Sequence, residues 1–265
     1  MKKKIKLLVA TNLYQIDPVV YSSHLDMFYK LGKRHEDFEI VFNAPWRIPI
    51  DSARNNAVTL AVATNCDYIF FYDDDMWFPD GKTPIDLIQR MIDNPDISMI
   101  QALAFIRGYP YKPMLFKFID TGDNIKKLLI YENYEKDVDE NGLVEVDAVG
   151  CCATVIDVNV FKAIPKPWFM TGEGHTEDIY FCVKAKSLLK RFGIYCDTTL
   201  PIGHLLDRAV LMEGNRPMLR EMHEKYSVNQ LFLTEPFYAE KMSLTPHMQW
   251  DEKRLLNPLT VDREG

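Results

Sequence analysis

The stretch YIFFYDDDMWFPDG, Tyr68 to Gly81, sets three aspartates directly behind an apolar run. Tyr68 to Tyr72 read as a strand buried on both faces, and Asp73, Asp74 and Asp75 fall at its carboxyl end. Neighbouring carboxylates repel one another, and Asn or Ser would turn the chain at lower electrostatic cost. Two aspartates here would read as a polar turn. Three behind a buried strand read as the seat of a cation, with hard oxygens suited to Mg²⁺ or Mn²⁺. A calcium loop of the EF-hand kind is excluded, because Trp77 and Phe78 stand where it needs a ligand and a glycine.

Outward from this strand the first hundred residues alternate. IKLLVATN, FEIVFN and ISMIQALAF read as further strands. Pro18 to Lys33, the run DSARNNAVTLAVATN and TPIDLIQRMIDN read as helices between them, with Asp17-Pro18, Asp51 or Ser52, and Thr83 as their N-terminal signals. Short, continuously apolar strands alternating with helices predict an α/β fold with a mainly parallel central sheet covered on both faces. In such a sheet ligands bind beyond the carboxyl ends of the strands, where the aspartates lie. No GxGxxG or GxxxxGK[ST] follows a strand, which argues against a dinucleotide fold of the usual kind and a P-loop.

From about Tyr109 the pattern becomes α+β. YKPMLFKFI, IKKLLIYENY and LVEVDAVGCCATVIDV read as strands, with Asp139 to Gly142 as a hairpin turn between two of them. A helix is expected from Glu177 to Phe192, ended by Gly193 and followed by the strand IYCD. The domain expectation is a single unit over 1–210, with a nucleotide-binding half (1–106) and a smaller acceptor-side half (107–210). A helical or irregular extension follows over 211–265.

Composition narrows the partners. Thirty-one Lys and Arg against 38 Asp and Glu give a net charge of −7, so no global field draws the chain to nucleic acid or an anionic membrane. Local basic clusters occur at Lys2 to Lys4, Lys126-Lys127, Lys184 to Arg191, and Arg208, Arg216 and Arg220. Five cysteines without CxxC spacing favour neither zinc nor a disulfide framework, and a reduced, cytoplasmic protein is expected. The apolar part of the basic N-terminus is too short for a secretory signal, and no run approaches the ~18 apolar residues of a membrane span.

Two further segments carry polar chemistry. In PWFMTGEGHTEDIYFC, Thr176 is an N-cap candidate and Glu177 and Asp178 fall in the first helical turn. An isolated acidic pair there would be explained by the helix dipole, worth about 0.3–1 kcal/mol. Gly172, Gly174, Trp168 and Phe169 before it suggest a loop that approaches a ligand. In LPIGHLLDR, His204 follows a glycine outside any periodic pattern.

The ordered set ATN, RNNAV, FFYDDDM, VDAVGCCATVI, PWF, TEDIYFC and IGH resembles the nucleotide-sugar glycosyltransferases of the GT-A fold, similar to the family-2-like members. It covers roughly Lys4 to Arg208. The resemblance implies a DXD motif at Asp73-x-Asp75 and an ED motif at Glu177-Asp178. By it, Asp75 would ligate Mn²⁺ or Mg²⁺, with Asp73 on the ribose or on the metal through water, and His204 a third ligand near the diphosphate. Thr11 and Asn12 would line the base pocket, Arg54 would reach the base or sugar, and Asp74 would lie beside the nucleotide. Gly150 and Cys151 would present backbone to the donor sugar or acceptor, and Asp178, next to Glu177, would deprotonate the acceptor hydroxyl. The expected donor is a nucleotide sugar, by family a UDP-sugar. The acceptor is left between a saccharide and a hydroxylated DNA base, with lipid-linked and protein acceptors fitting equally well. A two-carboxylate glycoside hydrolase, a sugar nucleotidyltransferase and a metal-stabilised binding module are the alternatives. The last aromatics, Phe237, Tyr238 and Trp250, with His247, are candidates for closing over the acceptor or for an oligomer contact.

Overall fold

The computed structural model describes residues 3–120, 126–206, 210–226 and 248–249. In chain order the elements are β1 (Ile5–Ala10), α1 (Pro18–Lys33), β2 (Phe38–Asn43), α2 (Ile50–Ala63), β3 (Tyr68–Tyr72), β4 (Met76–Trp77), α3 (Thr83–Asp93) and β5 (Ile97–Leu103). Then come β6 (Leu115–Asp120), β7 (Lys126–Ile130), β8 (Leu143–Val146), β9 (Ala148–Val149), β10 (Ala153–Asp157), α4 (Val158–Ala163) and α5 (Glu177–Leu188). The described chain continues through β11 (Gly193–Pro201), β12 (Gly203–Leu205), β13 (Val210–Leu211) and α6 (Arg216–Tyr226).

Seven strands form the central sheet in the order β2-β1-β3-β10-β5-β11-β8. The parallel and antiparallel pairings leave β10 and β8 running against the other five strands. The α/β class and the mainly parallel sheet are as expected. Alternate residues of β1 explain the two-sided burial: Leu7 and Val9 join a core with Met27 and Leu31 of α1 and Leu87 and Met91 of α3. Leu8 and Ala10 join the opposite core with Ala57 and Val58 of α2, Phe161 of α4 and Phe181 of α5. Helix α5 buries every residue from Ile179 to Ala185, so it carries no single apolar stripe.

Several boundaries differ from expectation. Helix α2 starts at Ile50 behind Pro49, so Asp51 and Ser52 lie inside its first turn rather than capping it. Lys82, not Thr83, holds the N-cap position of α3, and Thr83 is buried as its first residue. Helix α5 ends at Leu188, and Gly193 opens β11 instead of closing the helix. A Cβ at Gly193 would sit 2.3 Å from the Asp96 carbonyl oxygen, so close approach to the start of β5 accounts for the glycine. The turn at Asp139 to Gly142 does not join two paired neighbours: β7 pairs with β6, and β8 pairs with β11. Residues 237, 238, 247 and 250 of the C-terminal segment lie outside the described residues.

Candidate functional site

Three segments converge beyond the carboxyl end of β3. The aspartates follow Tyr72 directly, and Asp73 N donates to the Cys152 carbonyl, 3.0 Å, which fixes the strand exit against the turn before β10. Short β4 then pairs with β12, placing His204 opposite Met76. Leu205 N donates to the Asp75 carbonyl at 2.9 Å. The backbone ladder therefore brings a histidine from β12, 129 residues further along the chain, onto the aspartate turn.

The three acids have separate partners. Asp73 Oδ1 accepts from Arg54 Nη2 at 3.1 Å. Asp74 Oδ2 accepts from the backbone N–H groups of Tyr14 and Gln15, at 2.6 and 2.9 Å, and so ties down the loop after β1. Asp75 Oδ2 lies 3.3 Å from His204 Nε2 and 3.1 Å from Arg107 Nη1. Burial pushes the Asp73 carboxyl up to about 6, against the pull of Arg54, and solvent reaching a third of the side chain softens that shift. Burial would raise Asp75 as well, but His204 and Arg107 outweigh it and hold the carboxyl below its ordinary range.

His204 Nδ1 is 2.8 Å from the Phe105 carbonyl oxygen. A carbonyl oxygen only accepts, so Nδ1 carries the hydrogen, and in the neutral ring Nε2 turns its lone pair toward Asp75. Two lone-pair donors facing each other at 3.3 Å require a cation or a proton between them. This donor set fits a divalent ion with two protein ligands. Among the described residues no group of three or more His, Cys, Asp or Glu is clustered for metal binding, so water and substrate oxygens would complete the shell.

Arg54 organises the other side of the site. It is buried in α2, donates through Nη1 to the Cys151 carbonyl at 3.0 Å, and places Nε 2.9 Å from Glu177 Oε1. That N–H does not point at the oxygen, so the contact is an ion pair without a hydrogen bond. Burial and the neighbouring Asp178 charge raise the Glu177 carboxyl toward neutrality. Glu177 thus faces inward, whereas Asp178 is half-buried and open on one side. Asp178 Oδ2 accepts from Cys151 N at 3.3 Å, and Oδ1 accepts from Ile179 N and from the Thr176 hydroxyl. Thr176 therefore occupies the N-cap position of α5 but uses its hydroxyl on Asp178, not on the helix backbone. Gly150 lies alongside: a Cβ there would fall 3.5 Å from Asp178 Oδ2 and 2.6 Å from the Met114 methyl.

A shallow, solvent-open recess lies at the ends of β1, β2 and β3, lined by Thr11, Asn12, Asn43, Arg54, Tyr72 and Asp73 among others. Asn12 Nδ2 donates to the Ile48 carbonyl at 3.0 Å, which leaves Oδ1 buried without a partner, as is Asn43 Oδ1. Three neighbours of the site carry no sequence motif. Asn43, Gln101 and Arg107 emerge only from the fold, although Arg107 stands just past the carboxyl end of β5, where ligands gather. Asn55 grips the loop before α5, accepting from Trp168 N and Phe169 N and donating to the Phe169 carbonyl. Gln101 is wholly buried, with neither amide atom partnered.

All five cysteines are free and buried. Burial pushes the Cys151 and Cys152 thiols well above their usual range, which suits packing rather than redox chemistry. Among the described residues no helix is long and apolar enough to cross a membrane.

No family model and no curated protein matches the chain. Its fold resembles that of A197 from STIV, at 18% identity and a TM-score of 0.53, over 79% of this chain and 91% of that one. More distant are the mannosyltransferase PcManGT from Pyrobaculum calidifontis, in complex with GDP-Man and Mn²⁺, and GalNAc-T7 with UDP, GalNAc and Mn²⁺. Each is 11% identical with a TM-score of 0.45. The first is matched over 78% of this chain and 59% of its own, the second over 76% and 43%. The A197 likeness, at its level of identity, is one of fold.

Proposed function

We propose that this chain is a metal-dependent glycosyltransferase of GT-A type, moving a sugar from a nucleotide sugar to a hydroxyl acceptor. The observation that carries this reading is the apposition of Asp75 and His204, 129 residues apart in sequence, as a two-ligand cation seat at the strand ends. When bound there, a divalent ion would offset the negative charge that collects on the departing diphosphate.

The chain's own residues supply the remaining roles. Asn12 and Asn43 offer unpartnered acceptors to base N–H groups in the recess, with Thr11 beside them. Asp74 holds the loop over that recess, while Arg54 and Asp73 form its floor toward the diphosphate. Gly150 and Cys151 line the approach of the sugar, and Asp178 takes the acceptor proton. Glu177, spent on Arg54, positions that guanidinium. Residues 1–106 would then carry the nucleotide and 107–210 the acceptor.

A saccharide acceptor is favoured over a DNA base. Much of the basic character that could line a nucleic-acid groove serves internal contacts: Lys184 with the Pro165 and Pro167 carbonyls, Lys186 with Asp147, Arg216 over Phe105, and Arg220 with the Pro110 carbonyl.

The test is release of nucleoside diphosphate from a panel of UDP- and GDP-sugars with Mn²⁺, with and without sugar acceptors. Asp75→Asn should abolish turnover in a folded protein. Unchanged turnover in that variant would remove the cation seat from the reaction, and unfolding of it would favour a structural ion instead.

A further inference from the structure

Asp75 Oδ2 is shared. The oxygen that faces His204 also receives Arg107 Nη1 at 3.1 Å, so an ion settling there meets a like charge and competes with that guanidinium for the carboxylate. Arg107 lies in the segment between β5 and β6, and its side chain is 59% exposed. The segment itself is pinned. Ile106 N donates to the Lys112 carbonyl and Met114 N to the Ala104 carbonyl, while Arg220 bonds the Pro110 carbonyl and Arg216 stacks over Phe105. The backbone at Arg107 is therefore fixed while its side chain stands at the mouth of the site.

An exposed arginine–carboxylate pair is weak and easily exchanged. A guanidinium released from Asp75 stays tethered beside the cation seat, and its planar fork suits two phosphate oxygens. Resting on the glycosyltransferase reading above, we propose that Arg107 is a diphosphate-binding residue that occupies Asp75 until cation and nucleoside diphosphate arrive together. Arg107 then opposes the ion alone and favours the ion with its diphosphate. By linkage the two ligands bind with positive coupling, each strengthening the other by the same factor.

The experiment titrates the full chain with Mn²⁺, read by the electron paramagnetic resonance of the free ion, alone and with UDP, GDP or inorganic pyrophosphate. Wild type, Arg107→Gln, Arg107→Lys and Asp75→Asn are compared, with circular dichroism confirming the fold. Arg107→Gln should bind Mn²⁺ alone about two- to fivefold more tightly, the scale of an exposed ion pair. It should bind the diphosphates in saturating Mn²⁺ about tenfold more weakly, the scale of a lost charge-assisted contact. Arg107→Lys should fall between. If Arg107→Gln leaves both affinities unchanged, or tightens Mn²⁺ without weakening diphosphate, the inference is overturned while Asp75-dependent Mn²⁺ binding still stands. If Asp75→Asn binds Mn²⁺ as wild type does, the cation seat fails and the inference falls with it.

Discussion

Arg54 Nε stands 2.9 Å from Glu177 Oε1, and both side chains are almost closed to solvent. The same guanidinium reaches the Cys151 carbonyl and Asp73, so one arginine in α2 joins the aspartate turn, the turn before β10 and the first residue of α5. Breaking a buried pair by removing one partner leaves the other charge stranded, at a cost of about 3–5 kcal/mol. Arg54 keeps Asp73 and the Cys151 carbonyl, so Glu177→Ala should lower stability toward the low end of that range, read as a lower urea midpoint at unchanged slope. A double-mutant cycle with Arg54→Met should recover a large part of the loss.

The same pair sets a pH dependence. Glu177 and Asp73 are both raised, to about 7 and about 6, chiefly by burial. Between the ordinary carboxylate range and those values the folded state binds more protons than the unfolded state, so stability falls as pH rises from about 4 to about 7. Asp75, depressed, acts in the opposite sense, but only below the ordinary aspartate value of 3.8, and so leaves that window alone. Urea unfolding across the window should show the decline, and Glu177→Gln should flatten it. Buried His24, held below its ordinary 6.5, acts against the decline in the upper part of the window, so the deciding quantity is the difference between wild type and Glu177→Gln: equal slopes would rule out Glu177 as a cause.

Asp178 is the open member of the acidic pair. Its two oxygens are aimed by Cys151 N, Ile179 N and the Thr176 hydroxyl, none of which it must surrender to accept a proton. Asp178→Asn should lower turnover about 10²–10⁴-fold, the usual worth of a general base. Mn²⁺ affinity and thermal stability should change little. Equal loss of diphosphate binding would recast it as a donor-site residue.

The strand–helix alternation was legible because β1, β3 and β5 are apolar on both faces, a pattern that two covered faces impose. The insertion of antiparallel β10 between β3 and β5 was not, since a short apolar run does not record its partner. The carboxyl-end position of Asp73, Asp74 and Asp75 was legible for the same reason as the strand before them. Which of Glu177 and Asp178 turns inward was not, because that depends on Arg54 arriving from α2. Arg107 left no trace, as an exposed arginine in a loop has no period to betray it.

Gln101 lies at the centre of β5, opposite Thr154 of β10 and Cys196 of β11. Its amide is wholly buried and unpartnered, and Oε1 would be 3.8 Å from a Cβ at Gly150. An orphaned amide costs about 1–3 kcal/mol, and an apolar group of similar shape removes that cost. Gln101→Met should therefore leave stability unchanged or raise it by up to about 2 kcal/mol in urea unfolding. Destabilisation would place a bound water between the amide and the Gly150 turn.

Asp74 and Asp75 are neighbours with different work. Asp74 accepts two backbone N–H groups from the loop after β1, while Asp75 faces His204 and Arg107. Replacing Asp74 by Ala strands two donors that water can still reach, so stability should fall by about 1 kcal/mol. The recess loses the anchor of its loop, and nucleoside diphosphate affinity should drop about tenfold with Mn²⁺ affinity intact. Asp75→Ala should do the reverse, abolishing Mn²⁺ binding and the part of nucleotide affinity that depends on it. Calorimetric titration of both variants separates the two. If Asp74→Ala loses Mn²⁺ as fully as Asp75→Ala does, the cation seat spans the turn, and the loop anchor is a consequence of the seat rather than a separate function.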